Sequence, residues 1–194
     1  MTNDTYLPDA ADVGAASPWG PVPIPPPGHT WESLMDRALR LASKNLFLTD
    51  HAEVPVGAVV VSREGFILSE ATNCSIGNCD PTGHAEIAAL RAAAQTVNNY
   101  RLEGCVLVVT LEPCLMCAGA IVHARLDGVV YGATDRRAGA VQSCLDGFEL
   151  PFFNHKVWHY GGVRSAECAE LLRDFFVRRR SSSAGSSYMH ELRQ

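Results

Sequence analysis

The hydrophobic residues of this chain repeat with two different periods. Between residues 31 and 46 they recur every three or four positions after Thr30, a favourable N-cap residue, which predicts a helix. Residues 56–61 form a run rich in β-branched side chains, and residues 66–69 follow a short turn, so together they predict a β-hairpin. The folded part is therefore expected to begin with a helix and a hairpin.

Helices and strands alternate through the rest of the pattern. Residues 80–83 carry a helix-start signal before a helix at 84–95. The apolar run 105–111 predicts a buried strand, and Pro113 stands where a helix at 114–124 begins. The remaining predicted elements are strands at 129–132 and 157–159 and an amphipathic helix at 166–179. This order predicts an α/β fold with one sheet covered by helices on both faces.

The two ends of the chain differ in composition from the alternating part. Residues 1–29 hold seven of the eleven prolines, and such a stretch does not build regular backbone hydrogen bonding. Residues 181–194 begin with three serines and are typical of a flexible end. We therefore expect a Pro-rich disordered tail at 1–29, one domain at 30–180 and a Ser-rich flexible tail at 181–194.

Composition favours a soluble intracellular protein. Hydrophobic residues make up 47% of the chain and charged residues 19%, which permits a buried core, and no apolar run approaches the length of a membrane span. The N-terminal segment shows neither a secretory signal nor the arginines of a transit peptide. The seven cysteines are an odd number, which favours buried, metal-bound or reactive thiols over disulfides. The expected location is the cytoplasm.

The net charge of −5 does not by itself indicate a nucleic-acid-binding protein. Acidic residues of the first thirty positions supply much of it, so the folded part is nearly neutral. An anionic partner would therefore have to meet a local basic patch. Arg136 with Arg137, and the arginines at 178–180, are candidates for such patches, and the alternative for each is an ordinary solvated surface.

Two short motifs combine the residue types that bind catalytic zinc. Cys114 and Cys117 are three positions apart at a predicted helix start, so they share one face, and the helix dipole favours their thiolates. His84 adds an imidazole nitrogen from the start of another helix. Three protein ligands leave the fourth tetrahedral position for water, which is the arrangement of a catalytic zinc site.

Glu86 is not needed as a ligand and is predicted to carry protons. Zinc-bound water has a pKa near ~7 rather than ~16, so hydroxide is available at neutral pH. A carboxylate beside it can take a proton, pass it to a ring nitrogen and later protonate a departing amine. Residues two apart do not share a face of a regular helix, so Glu86 and His84 converge only if the helix start departs from regular geometry.

The motifs leave a non-catalytic alternative open. A closed structural zinc site would need a fourth ligand, for which Cys74, Cys79 and His123 are candidates. Glu86 taken alone is also typical of a solvated carboxylate in a first helical turn. Such a protein would be a non-catalytic binding protein with a structural zinc rather than an enzyme.

The H-x-E and P-C-x-x-C motifs together are recognised as the known signature of zinc nucleobase deaminases. Over about residues 30–180 the chain resembles bacterial tRNA-specific adenosine deaminases, the TadA family, in segments such as "VPVGAVVV", "DPTGHAEIAAL" and "VTLEPCLMCAGAIVHAR". The resemblance implies a cytidine-deaminase-like three-layer α/β/α sandwich with a central mixed sheet, one Zn²⁺ per subunit and a homodimer. It also implies hydrolytic deamination of adenosine to inosine at the wobble position of an arginine-type tRNA anticodon, using a zinc-bound hydroxide and a glutamate proton shuttle.

Residue-by-residue carry-over from the family supplies the predicted site. The resemblance implies His84, Cys114 and Cys117 as zinc ligands, Glu86 as the catalytic acid and base, Asn73 as a contact to the nucleoside, and the backbone amide of Ala85 as a donor to the base. Asparagine is also common in loops for its turn chemistry, which is the alternative for Asn73.

Three segments depart from the family pattern near its substrate contacts. Residues 74–79 read "CSIGNC" where the family is more basic, Gly83 stands where alanine is usual, and residues 134–140 match loosely. A deaminase of a free nucleobase or nucleoside, of guanine or cytosine type, is therefore the rival prediction. It would share the zinc chemistry, while a steep salt dependence would indicate a polyanionic substrate.

Overall fold

The computed structural model describes residues 22–44 and 53–191, with side chains as far as residue 180. Within these ranges the helices are α1 (Trp31–Lys44), α2 (Ala85–Val97), α3 (Leu115–His123) and α4 (Ser165–Glu191). The strands are β1 (Gly57–Val61), β2 (Ile67–Thr72), β3 (Val106–Leu111), β4 (Gly128–Ala133) and β5 (Trp158–Tyr160). The predicted order is confirmed, and most boundaries move by no more than three residues.

The five strands form one mixed sheet in the order β2-β1-β3-β4-β5. β1 pairs antiparallel with β2 and with β3, as the predicted hairpin requires. β3, β4 and β5 are parallel, so their carboxyl ends meet at one edge of the sheet. α3 begins just beyond the carboxyl end of β3, which brings the second zinc motif to that edge.

Helices cover both faces of the sheet and give the predicted three-layer α/β/α sandwich. Side chains that alternate along the strands divide between two cores: Ala58 and Val60 face α2 and α3, whereas Val59 and Val61 face α1 and α4. The central strands are apolar on both faces because both faces are covered. The central mixed sheet and its two helical layers therefore agree with the expected fold class.

Part of the proline-rich segment lies against the domain. The indole Nε1 of Trp31 donates to the carbonyl of Pro23 at 2.7 Å, and His29 Nε2 hydrogen-bonds the carbonyl of Gly65 at 2.9 Å. Pro26 is buried. Proline carbonyls still accept hydrogen bonds although proline has no N–H, so the end of the predicted tail contacts the domain, and the disorder of residues 1–29 as a tail stays a prediction. Residues 1–21 of that predicted tail lie outside the described residues.

The last helix is longer than its predicted extent of 166–179. α4 continues to Glu191, so the backbone of residues 181–191 is helical where the sequence predicts a Ser-rich flexible tail. No proline interrupts this stretch and Ala184 favours a helix, whereas its serines and Gly185 have weaker helix propensity. The flexibility of this segment stays a prediction. Within the described ranges, neither α4 nor another helix combines the length and apolarity needed to cross a membrane.

Gly57 allows α1 to approach β1 closely, and this gives a test of the packing. A Cβ at Gly57 would lie 2.1 Å from the Ala38 carbonyl oxygen and 2.9 Å from the Ala42 nitrogen. We expect Gly57→Ala to lower the free energy of unfolding by about 1–3 kcal/mol in urea denaturation. Gly119→Ala is the control, because its Cβ meets nothing within 4 Å. Equal stability of the two variants would contradict this account of the layer spacing.

Candidate active site

The N-termini of α2 and α3 each place a potential zinc ligand at the N-cap. His84 caps α2 with φ −74° and ψ 151°, and Cys114 caps α3 with φ −75° and ψ 173°. Neither side chain makes a capping hydrogen bond to its own helix. The extended backbone at His84 takes it out of the helix, which is the departure from regular geometry that allows Glu86 to converge with it. Both cap side chains are thereby directed to the site rather than to the backbone.

The three predicted ligand atoms form a compact triangle. His84 Nδ1 lies 3.6 Å from Cys114 Sγ and 3.4 Å from Cys117 Sγ, and the two sulfurs are 3.7 Å apart. Tetrahedral zinc with bonds of about 2.3 Å to sulfur and about 2.0 Å to nitrogen requires roughly 3.8 Å between sulfurs and roughly 3.5 Å from sulfur to nitrogen. The donor set therefore fits one zinc ion with three protein ligands, as predicted.

The candidates for a fourth ligand lie outside this group. Within the part of the chain that the structure describes, the metal-type group contains only His84, Cys114 and Cys117. The thiol of Cys74 lies 3.6 Å from the Gly83 carbonyl, and that of Cys79 lies 3.9 Å from the Ile76 carbonyl. His123, the third candidate, lies at the end of α3 and is exposed. The geometry therefore gives no support to a closed structural site.

The charge balance of the two thiols also suits a cation. Hydrogen bonding from the Cys117 thiol, with help from His84, lowers the pKa of Cys114 to about 4. The same hydrogen bond and burial raise the pKa of Cys117 above its ordinary value. One thiolate thus forms readily, while a second beside it needs positive charge to offset the repulsion. A zinc dication supplies that charge.

Glu86 is buried next to this group, with 4% of its surface exposed. Burial raises the pKa of its carboxyl group, while His84 and a hydrogen bond with Cys117 act in the opposite direction. A carboxyl group whose pKa is raised by burial is suited to carrying a proton between reacting atoms. The structure thus brings Glu86 to the ligands, as the sequence predicts.

The two predicted substrate-binding residues meet in one hydrogen bond. The backbone N–H of Ala85 donates to Asn73 Oδ1 at 2.9 Å. This contact joins the loop after β2 to the start of α2, so it is not the local turn chemistry considered as the alternative for Asn73. The amide predicted to donate to a base is therefore engaged by Asn73, which holds the Asn73 side chain at the N-terminus of α2.

Two of the departures from the family pattern prove to be one packing arrangement. The backbone N–H of Cys74 donates to the carbonyl of Gly83 at 2.8 Å. A Cβ at Gly83 would lie 3.0 Å from Ser75 N and 3.1 Å from Asp80 O. The segment 74–79 therefore packs closely on the residue before His84, and glycine at 83 accommodates it.

The sequence prediction missed two buried carboxylates beside the site. Glu53, 5% exposed, accepts from the backbone N–H groups of Ile76 at 2.7 Å and Gly77 at 2.9 Å. Glu112, 2% exposed, directly precedes Pro113 and also accepts from backbone N–H groups. Glu112 directly follows the apolar strand β3, and a charged residue in that position is the signal that could have identified it, whereas Glu53 precedes β1 without adjoining it.

The five cysteines outside the ligand group divide between the two cores and more accessible positions. Cys105 and Cys168 lie in the two cores, where burial raises their pKa values to about 11 and about 12. Cys144 and Cys79 are exposed, and Cys74 is half-buried.

Comparison with known proteins assigns the family. The sequence model of the cytidine and deoxycytidylate deaminase zinc-binding region matches residues 29–133. A tRNA-specific adenosine deaminase from Haemophilus influenzae is 46% identical over 149 residues, which cover 77% of this chain and 84% of that protein.

Two solved structures agree with this assignment. One, from studies of A-to-I editing by tRNA:A34 deaminases at the wobble position, has 40% identity and a TM-score of 0.67, covering 71% of this chain and 97% of that one. A guanine deaminase from Bacillus subtilis has 33% identity and a TM-score of 0.53, covering 68% and 85%. The chain therefore belongs to the zinc-dependent deaminases of the cytidine and deoxycytidylate type and, within them, to the TadA family of tRNA-specific adenosine deaminases.

Proposed function

We propose that this protein hydrolyses adenosine to inosine at the wobble position of a tRNA anticodon, with an arginine-type tRNA as substrate. The observation that carries the reaction type is the three-ligand group with Glu86 buried beside it. The similarity to a tRNA-specific adenosine deaminase supports adenosine in tRNA as the substrate. The similarity to a tRNA:A34 deaminase supports the wobble position.

The residues of the site divide the chemistry between them. His84, Cys114 and Cys117 would hold zinc, which when bound lowers the pKa of a water molecule and makes it nucleophilic near neutral pH. Glu86 would take one proton from the attacking water molecule and deliver it to N1 of the adenine ring as the C6–O bond forms. Glu86 then transfers the second water proton to the exocyclic amine. The C6–N bond breaks, ammonia leaves, and inosine retains the water oxygen at C6.

Asn73 and Ala85 are proposed to position the base. An adenosine stacked in a loop cannot reach a site between two helix N-termini, so it must be flipped out. The Ala85 N–H donates to Asn73 Oδ1 at 2.9 Å, which holds the side-chain amide of Asn73 next to the ligand group. Because the single N–H of Ala85 donates to Asn73 in this structure, its proposed donation to the base requires that hydrogen bond to be exchanged for one to the substrate.

Asn73→Ala should weaken substrate use without removing the metal. Loss of one or two hydrogen bonds in a buried polar site costs about 1–3 kcal/mol, which corresponds to a roughly 10- to 100-fold lower kcat/KM. Zinc should stay at one ion per chain, because Asn73 is not a ligand. Steady-state inosine formation and metal analysis on the same preparation test this. An unchanged kcat/KM would remove Asn73 from the substrate contacts.

A homodimer and a cytoplasmic location complete the proposal. α2 and α3 border an apolar groove of about 400 Å³, and exposed Tyr100 and the half-buried Met116 lie along it. We propose this face as the contact between two copies, and sedimentation should then give about twice the 20.9 kDa chain mass. The proposed tRNA substrate supports the proposed location in the cytoplasm.

The second candidate function is guanine deamination, which the likeness to the guanine deaminase of Bacillus subtilis favours. Zinc-loaded protein should be incubated separately with an arginine tRNA carrying a wobble adenosine, with free adenosine and with free guanine. The proposal predicts inosine from the tRNA at a kcat/KM at least ~100-fold above that for either small molecule. Rapid loss of guanine with unchanged tRNA would favour the rival function instead.

A further inference from the structure

Glu112 collects an unusual number of hydrogen bonds for a side chain outside the zinc group. Its Oε1 accepts from the backbone N–H groups of Gln142 at 2.8 Å and Ser143 at 2.8 Å, with Val141 further away at 3.3 Å. Its Oε2 accepts from the N–H of Asp135 at 3.0 Å and from the hydroxyl of Ser143. Every one of these partners is a donor, so the site is built for a carboxylate.

These donors all belong to one segment, residues 135–143, which we term the arginine loop. The loop runs beside the second zinc motif: the N–H of Ala140 donates to the carbonyl of Pro113 at 2.8 Å, and Gly139 forms a β-bridge with Cys114. A Cβ at Gly139 would lie 2.5 Å from the Glu112 carboxylate, so glycine permits the close approach. Glu112 therefore fastens this loop directly to the turn that carries a zinc ligand.

The exposed part of the loop presents Arg136 and Arg137. Asp135 adds one negative charge beside these arginines, and its Oδ1 accepts from the N–H groups of Arg137 at 2.9 Å and Ala138 at 3.2 Å, which shapes the turn. Two adjacent guanidinium groups are suited to phosphate oxygens. In a chain with a net charge of −5, a polyanion has to be met by such a local feature.

We propose that Glu112 is a positioning residue that holds the arginine loop, so that Arg136 and Arg137 contact backbone phosphates of the RNA at a set distance from the zinc site. This inference rests on the proposed function for its choice of RNA. Glu112 itself touches neither substrate nor metal. Its effect on RNA binding passes through the position of the two arginines.

A double-mutant cycle on RNA binding tests the proposal. Zinc-loaded wild type, Glu112→Gln, the pair Arg136→Ala with Arg137→Ala, and the combined variant are titrated with a labelled anticodon stem-loop at several salt concentrations. Glutamine has nearly the same shape as glutamate, but its NH2 group would face the N–H groups that donate to Glu112. A donor would then meet a donor. Glu70→Gln is the matched control, because it makes the same charge change on β2 at the far edge of the sheet.

We expect Glu112→Gln and the arginine pair each to weaken binding by about 10- to 100-fold, and the combined variant to be little weaker than the arginine pair alone. The salt slope should fall by about 1.4 in both, since each phosphate contact on a single strand contributes about 0.7. A smaller fraction of folded protein, by contrast, would lower the amount of active protein without changing the slope. Glu70→Gln should bind as wild type does.

Several outcomes would overturn the inference. These are an undiminished effect of Glu112→Gln in the arginine-pair background, an unchanged salt slope, or no RNA binding by the wild type. If Glu112→Gln fails to fold or to hold zinc, Ser143→Ala takes its place with an expected 2- to 5-fold effect that must vanish in the arginine-pair background. If the effects of Glu112→Gln and the arginine pair on RNA binding are coupled but tRNA yields no inosine, this inference stands. Only the proposed function is then contradicted.

Discussion

Replacing Glu86 with glutamine is expected to lower kcat for inosine formation by about 10²- to 10⁴-fold, the range typical of a lost general acid and base. Glutamine has nearly the same shape, so the buried position beside the zinc ligands stays filled. What it loses is the ability to take a proton from water and return it to N1 and to the amine. Burst or steady-state assays on a wobble-adenosine tRNA give the measurement.

The loss of activity in Glu86→Gln indicates a lost proton shuttle only if the zinc site of the variant is intact. Zinc should remain at one ion per chain, and thermal unfolding should stay close to that of the wild type, because Glu86 is not a ligand. Glu70→Gln, an exchange of the same kind on β2, should keep full activity. A Glu86→Gln protein that deaminates at near the wild-type rate would remove the proton shuttle from the mechanism.

Cys114→Ala should lose both stoichiometric zinc and activity. Cys114 supplies one of three donors, and two remaining donors hold zinc far more weakly than a three-ligand site. Turnover should fall below detection at trace metal, since no nucleophile is activated. Metal analysis after dialysis against a mild chelator, followed by the inosine assay, measures both effects on one sample.

Cysteines outside the group provide the controls for that experiment. Cys74→Ala removes a candidate fourth ligand whose thiol lies 3.6 Å from the Gly83 carbonyl, and Cys144→Ala removes an exposed thiol. Both variants should keep one zinc ion per chain. Full zinc occupancy in Cys114→Ala, or loss of zinc in Cys74→Ala, would contradict the assigned ligand set.

The ligand group could be predicted from sequence because its residues occur in short motifs with the spacing that metal binding requires. A cysteine pair three positions apart at a helix start shares one face whatever surrounds it, and a histidine at a second helix start completes the donor set. The fold class followed for a similar reason. Apolar runs with two periods, separated by turn signals, determine the order of helices and strands and hence the layers.

The contacts that shape the cleft depend on residues far apart in sequence. Nothing local at Asn73 indicates that its side chain receives the Ala85 amide across the site. Likewise, Glu112 meets donors some thirty positions away, and His29 hydrogen-bonds the carbonyl of Gly65 in a distant turn. Such pairings are decided by tertiary packing, so residue type and spacing do not reveal them.

Position-resolved sequencing of the product shows whether the deaminated base is the wobble adenosine of a tRNA. An arginine tRNA with a wobble adenosine is incubated with zinc-loaded wild type and with Glu86→Gln, then reverse-transcribed and sequenced, since inosine is copied as guanosine. The account predicts an adenosine-to-guanosine change at the wobble position alone, present with the wild type and absent with Glu86→Gln. An unchanged wobble adenosine after incubation with fully zinc-loaded wild type would contradict it.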